Sequence, residues 1–335
     1  MKKTLSFSFI VPVYNRPQEV NELLESFTNL DFTGDYEIII IEDGSTETSK
    51  NIVEKYNTQL NLSYYFKENS GPGNSRNYGM QRAKGNYFII LDSDCILPSQ
   101  YLTEVNLFLS KHFVDCFGGA DTADNSFNSL QKAINYTMTS FFTTGGIRGS
   151  KKSINKFEPR SFNMGISKEA FLKTKGFVKI HPGEDPDLSQ RILKAGFTTQ
   201  FIPNAFVYHK RRISWSKFYT QVKKFGMVRP ILNKWHPEAS KITFWFPSLF
   251  VLFTILSVIG AIFVNYLLVF PLASYLGLIF LDATVKNKSV YIGFMSVVAL
   301  FIQFFGYGMA FIKSSFYINI LKRDPEKQFP HLFFK

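Results

Sequence analysis

Tyr87-Phe88-Ile89-Ile90-Leu91-Asp92-Ser93-Asp94 decides how this chain is read. An unbroken apolar run, mostly aromatic and β-branched, is the pattern of a strand buried on both faces. The run stops on two carboxylates, Asp92 and Asp94. Carboxylates spaced this way at a strand end reach one hard divalent cation, Mg2+ or Mn2+, which prefers oxygen ligands and bridges to substrate phosphates. The competing reading is a solvated loop acid or a helix cap, and the neighbouring segments weigh against it.

Upstream, Leu5–Val13 (LSFSFIVPV) is a second apolar run, ended by Tyr14-Asn15-Arg16-Pro17. Pro17 suits the first turn of a helix, and Val20, Leu23, Leu24 and Phe27 follow at helical spacing. Tyr36–Ile41 (YEIIII) is a further strand ending in Glu42-Asp43-Gly44-Ser45, with a helix expected from Thr46 to Tyr56. Asp43 reads either as an acceptor for a base or ribose or as a helix N-cap. Leu62–Phe66 is another strand. Gly71-Pro72-Gly73-Asn74-Ser75-Arg76-Asn77 then opens a helix running to Ala83. Backbone N–H groups at a helix start favour anions, and Arg76 adds a fixed charge suited to a diphosphate. This alternation predicts an α/β domain with a mostly parallel sheet and helices on both faces. Ligands of such sheets bind at the carboxyl ends of the strands, where these polar residues fall.

The whole chain has 335 residues and a net charge of +12, which predicts more than one domain. Its 37 Phe exclude a disordered chain. With only Cys95 and Cys116, a disulfide scaffold and a cysteine-rich zinc fold are excluded, and free thiols in a reducing compartment are expected. Ile242–Leu281 contains no Asp, Glu, Lys or Arg, and Ser289–Ile312 is a second uncharged run. One bilayer crossing needs about 20 apolar residues. The first run predicts either a hairpin turning near Val264-Asn265-Tyr266 or a long helix followed by one kinked at Pro271. Two or three crossings result, and the basic tail (Lys313, Lys322, Arg323, Lys327, Lys335) favours two.

Between Ala205 and Lys241 basic residues crowd the sequence and Glu238 is the only acid. Trp215, Phe218, Val222 and Phe225 share one helical face. The pattern predicts an amphipathic helix on anionic lipid, with this side of the membrane in the cytoplasm. A nucleic-acid patch is the rival; adjacency to the apolar runs favours membrane lipid, so no nucleic acid is expected as partner. The N-terminus lacks a signal-peptide cleavage site and is expected to stay in the cytosol. The predicted organisation is a catalytic domain over 1–204, a basic membrane-interface segment over 205–241, and a transmembrane region with tail over 242–335.

Residues 5–190 resemble a family-2 glycosyltransferase of the GT-A fold. The resemblance rests on Phe9-Ile10-Val11-Pro12-Val13-Tyr14-Asn15-Arg16, on Ile41-Glu42-Asp43-Gly44-Ser45, on Asn69 through Gly79, and on Ala83-Lys84-Gly85-Asn86-Tyr87 leading to Asp92-Ser93-Asp94. It implies a GT-A (Rossmann-like) mostly parallel sheet domain, followed by a basic interfacial segment and two or three transmembrane helices. It also implies an inverting, metal-dependent hexosyltransferase using Mn2+ or Mg2+. By the same resemblance Pro12, Tyr14 and Arg16 line the nucleotide pocket, Asp43 contacts the base, and Arg76 contacts the base or phosphates. Asp92, with Ser93 beside it, faces the ribose or the metal, and Asp94 binds the metal. The place after Asp94, where the family often carries a further Asp, holds Cys95.

Within Gly183-Glu184-Asp185-Pro186-Asp187 the match makes Asp185 the general base, with Glu184 and Asp187 as competitors; the alternative for all three is helix N-terminal charge. Gly165, in Phe162-Asn163-Met164-Gly165, would let backbone approach the donor sugar. His209 is either a metal or phosphate partner or a structural histidine. Arg211-Arg212-Ile213-Ser214-Trp215 lacks the glutamine of processive synthases, which argues against polymer synthesis. Gly145–Lys152 reads as a glycine-rich basic loop. The implied donor is a nucleotide-diphospho-sugar, UDP before GDP. The implied acceptor is a membrane-associated, lipid-linked saccharide of cell-surface polysaccharide or glycolipid synthesis at the inner membrane. A polyprenyl-phosphate sugar transferase, a nucleotidyltransferase and a non-enzymatic membrane protein of the same fold are the alternatives.

Overall fold

The computed structural model describes residues 4–122, 128–144, 157–209 and 214–334. The glycine-rich stretch 145–152 and Lys210, Arg211 and Arg212 lie outside them, and for His209 only the backbone is described. The described chain forms two compact units. The first holds residues 4–122, 157–209 and 333–334; the second holds 128–144 and 214–332.

The first unit is built on an eight-stranded sheet of order β3-β2-β1-β4-β7-β6-β8-β5. The strands are β1 (Phe7–Val13), β2 (Tyr36–Asp43), β3 (Leu62–Lys67), β4 (Tyr87–Leu91), β5 (Cys95–Ile96), β6 (Cys116–Thr122), β7 (Asn163–Ser167) and β8 (Thr199–His209). Pairing is parallel at β1–β2, β2–β3, β1–β4 and β6–β8. It is antiparallel where β7 fits between β4 and β6 and where short β5 meets β8. The sheet is therefore mixed and mostly parallel, as the alternating pattern predicts.

Side chains alternate across a strand, so each apolar run supplies two cores. Phe9, Val11, Ile38, Ile40, Ile89 and Leu91 face one side. There they meet Leu23, Leu24 and Phe27 of α1 (Pro17–Thr28), Val53 of α2 (Lys50–Tyr56) and Leu102 and Val105 of α4 (Tyr101–Lys111). Ile10, Ile39, Ile41, Phe88 and Ile90 face the other. They meet Met80 of α3 (Pro72–Arg82), Phe171 of α7 (Lys168–Thr174) and Leu188 and Ile192 of α8 (Glu184–Lys194). Helices α3 and α8 thus share one face, which brings Arg76 and the Glu184-Asp185 pair together.

Helix α2 starts later than the sequence suggests, at Lys50 instead of Thr46. Glu42 is the cause. Its buried carboxylate accepts the Ser45 hydroxyl, the Ser49 N–H at 2.7 Å and the Tyr64 hydroxyl at 3.3 Å, holding residues 44–49 as a turn. Burial, with the Glu42 charge beside it, pushes the Tyr64 phenol up to about 12.

The second unit contains α5 (Ser129–Thr139), α6 (Phe141–Thr144), α9 (Trp215–Trp235), α10 (Phe246–Phe263), α11 (Phe270–Asn287) and α12 (Val290–Ser315). Three helical stretches, Ile242–Phe263, Tyr266–Asn287 and Val290–Ile320, are long and apolar enough to cross a membrane. The first run is a hairpin, and Asn265 caps its turn by accepting the Leu267 N–H at 2.9 Å. Pro271 lies in the first turn of α11, where its missing N–H breaks no helical bond, so it makes no kink. Ile262, Phe263, Val264 and Tyr266 are all more than two-thirds exposed, which suits contact with lipid better than with water.

One expectation changes here. The apolar face of α9 does not lie open to lipid. Phe218 and Val222 are buried with Ile134 and Met138 of α5 and Ala299 of α12. Gly226 sits so close to α12 that an added Cβ would lie 2.3 Å from the Tyr307 carbonyl oxygen. The Ser314 hydroxyl donates to the Met227 carbonyl at 2.6 Å. A helical apolar stripe is buried equally well by a protein helix, and α12 supplies one.

Candidate active site

Parallel pairing places the carboxyl ends of β1, β2 and β4 at one edge of the sheet. Tyr14 and Arg16 follow β1, Asp43 ends β2, and Asp92-Ser93-Asp94 follows β4. Pro12 is half-buried, Tyr14 is exposed and Ser93 is buried. Cys95 pairs with His209 in antiparallel register, so the His209 backbone lies beside the Asp-Ser-Asp turn.

A chain of charges links these elements. Asp94 accepts from the Arg16 guanidinium at 2.9 Å. Arg76 is 4% exposed; it donates to Asp92 at 2.8 Å and to Glu184 at 3.3 Å, and its guanidinium lies 5.3 Å from the centre of the Phe177 ring. Burial works against its charge, but Asp92, Asp185 and Glu184 outweigh that and raise its pKa. Burial likewise pushes Glu184 up, while the His181 hydrogen bond at 2.8 Å and the charges of His181 and Arg76 pull harder, so Glu184 sits below its ordinary value.

Asp185 is the exception in this chain of pairs. Its Oδ2 accepts the Ser161 N–H at 3.1 Å. Its Oδ1 is sealed from solvent with no hydrogen-bond partner among the described residues. Burial, then the neighbouring Glu184 charge, raises Asp185 to about 6, against the opposing pull of Arg76 and the Ser161 hydrogen bond. An unpartnered carboxylate oxygen with a raised pKa, next to a fixed cation, is the arrangement of a group poised to take a proton. The competitor Asp187 is buried and paired with Arg191 at 2.6 Å, and Arg191 in turn donates to the carbonyls of Thr174 and Gly176. That ties Asp187 to closing the end of α7.

Residues 8–174 match the family model described as Glycosyl transferase family 2. This chain carries a family 2 glycosyltransferase domain. The chain is 35% identical over 114 residues to the poly(ribitol-phosphate) beta-N-acetylglucosaminyltransferase TarS of Staphylococcus aureus, a match covering 33% of this chain and 20% of that protein. It is 28% identical over 163 residues to the glycosyltransferase AglE of Haloferax volcanii, covering 47% and 54%. The chain thus spans about a fifth to a half of the length of these relatives. Among solved structures, the mannosyltransferase PcManGT of Pyrobaculum calidifontis, in complex with GDP-Man and Mn2+, matches with a TM-score of 0.55 at 15% identity, covering 96% of this chain and 89% of that one. S. aureus TarS 1-349 in complex with UDP-GlcNAc matches with a TM-score of 0.51 at 17% identity, covering 92% and 91%. The likeness establishes the expected GT-A arrangement.

Two of the expected site residues carry structural contacts of their own in the glycosyltransferase domain. Asp43, expected at the nucleotide base, is 3% exposed and fully engaged: it pairs with Lys67 and accepts the N–H groups of Ser70 and Gly71 at 3.0 and 2.9 Å. It fixes the Gly71 turn, whose φ of 87° favours glycine. At Gly165 the space of a Cβ is filled by the Phe117 ring, 2.0 Å away, so core packing accounts for that glycine. Asn15, Lys67, Ser161 and His181 also shape the site. Asn15 clips two loops together by accepting the N–H groups of Thr46 and Glu47. His181 stands one turn before Glu184, a spacing visible in the sequence.

Among the described residues, no three His, Cys, Asp or Glu side chains gather into a metal cage. Asp92 and Asp94 nevertheless offer hard oxygen donors two residues apart, the donor set a divalent ion takes when phosphates and water complete its shell. Asp92, Asp94, Glu184 and Asp185 also outnumber Arg16 and Arg76 in this network. A diphosphate would deepen that negative charge. The residues present fit a divalent ion brought together with its nucleotide.

Proposed function

We propose that this chain is an inverting, metal-dependent hexosyltransferase that moves one sugar from a nucleotide-diphospho-sugar to a membrane-associated acceptor. The observation that carries the reading is the Asp185 carboxyl, raised to about 6 by burial and the Glu184 charge, beside the Arg76–Asp92 pair at the carboxyl edge of the sheet. In this reading Arg16 and Arg76 hold the diphosphate and keep it oriented. The Asp185 carboxylate takes the proton of the acceptor hydroxyl as that oxygen attacks the anomeric carbon, and the nucleoside diphosphate leaves from the opposite side. A divalent ion held by Asp94 and Asp92, with His209 near them, would offset the charge of the leaving diphosphate.

The apolar helices and the basic α9 support an acceptor embedded in membrane, a lipid-linked saccharide, with the catalytic unit on the cytoplasmic side of the inner membrane. The domain limits near 204 and 241 belong to the same proposal. UDP is the preferred donor nucleotide.

Thermal unfolding of the detergent-purified chain with a panel of nucleotide-sugars and Mn2+ or Mg2+ tests this. One donor is expected to raise Tm in a metal-dependent way, and Asp94→Ala is expected to lose that dependence. A folded protein stabilised by no donor would contradict the proposal.

A further inference from the structure

After the last apolar helix the chain returns to the first unit at Phe333 and Phe334. Phe333 bridges to Ile180 in antiparallel fashion, and the Phe334 N–H donates to the Lys179 carbonyl at 3.0 Å. The Phe334 ring then reaches two loops at once. It packs against Gly71, where an added Cβ would be 2.3 Å from the ring, and its centre is 5.8 Å from that of His181. Gly71 starts α3, which carries Arg76. His181 precedes α8 and bonds Glu184, the neighbour of Asp185.

We propose that Phe334 is a positioning residue that clamps the starts of α3 and α8 so that Arg76, Glu184 and Asp185 keep their mutual geometry. It acts through His181 and the Gly71 turn and touches no reacting atom. The glycine at 71 is then required twice, once for its backbone angle and once to seat the ring. The inference rests on the proposed glycosyl transfer for its effect on turnover, but the clamp has a readout of its own.

The test uses the full chain with Phe334→Ala, Phe334→Leu, His181→Ala and the double variant Phe334→Ala/His181→Ala. Phe334→Ala is expected to lower kcat about 10-fold to 100-fold, the scale of a small misplacement of reacting groups. The donor KM should be little changed, hydrogen exchange should quicken at residues 179–185, and Phe334→Leu should recover most of the loss. The double variant should be slower than His181→Ala, through the lost Gly71 contact, but by less than the product of the two single losses. Wild-type exchange and kcat in Phe334→Ala would overturn the inference, as would losses that add independently or that track only the amount of folded protein. Exchange is read without turnover. If the chain transfers no sugar, the proposed function fails, while the exchange at 179–185 still decides the clamp.

Discussion

Asp185→Asn is expected to lower kcat about 10²–10⁴-fold, the contribution of a positioned base, while leaving donor affinity intact. The amide keeps the shape of the carboxylate and an oxygen to accept the Ser161 N–H, so the local fold is retained. What it loses is the capacity of the carboxylate to take a proton. The pH dependence gives a second signature. Because burial and Glu184 raise Asp185 to about 6, its base form dominates above that value, and kcat of the wild type should fall as pH drops through it. The limb should be absent from the residual activity of Asp185→Asn. Steady-state kinetics on both sides of that pH check both points. An unchanged kcat in the variant would remove the base and favour an acceptor that is already an anionic phosphate.

Arg76→Met is expected to destabilise the catalytic unit by about 3–5 kcal/mol, the range for breaking a buried ion pair from one side. Arg76 is 4% exposed and stands against Asp92, Glu184 and Asp185 together. Without it these carboxylates remain close, partly shielded from water and uncompensated. Arg76→Lys should recover part of the loss only, since an ammonium cannot bridge Asp92 and Glu184 with a planar fork. Hydrogen exchange at the core amides of β1 and β4 measures the change. Wild-type protection in Arg76→Met would mean the carboxylates are not held charged by this residue, and the electrostatic account of Asp185 would fall with it.

The parts of this molecule written in local pattern were legible from the sequence. The runs at Phe7–Val13, Tyr36–Ile41 and Tyr87–Leu91 are apolar on both faces of the pleat, save Ser8 and Glu37, because both faces are covered, and each became a strand with a parallel neighbour. Their last residues fell at one edge for the same reason. Pairings between distant positions were not legible. Arg76 reaches a partner 108 residues away in Glu184, and nothing in either segment encodes the other. Asp43 shows the limit clearly, since a carboxylate at a strand end looks the same whether it meets a ligand or the chain's own Ser70 and Gly71. Helix α9 shows it again: Phe218 and Val222 mark an apolar stripe, and the stripe does not say whether lipid or α12 covers it. The insertion of β7 antiparallel between β4 and β6 leaves no local mark either.

Sugar transfer with departure of a nucleoside diphosphate leaves a product that can be read directly. The most direct measurement incubates the full chain in its native membrane with the donor that stabilises it and follows the phosphorus products by NMR, with Asp185→Asn in parallel. Nucleoside diphosphate appearing in step with sugar incorporation, in an anomeric configuration opposite to the donor's, and slowed in the variant, is the predicted result. Release of a sugar phosphate, with the nucleoside monophosphate carried to the acceptor, would contradict sugar transfer and assign the site to nucleotidyl transfer.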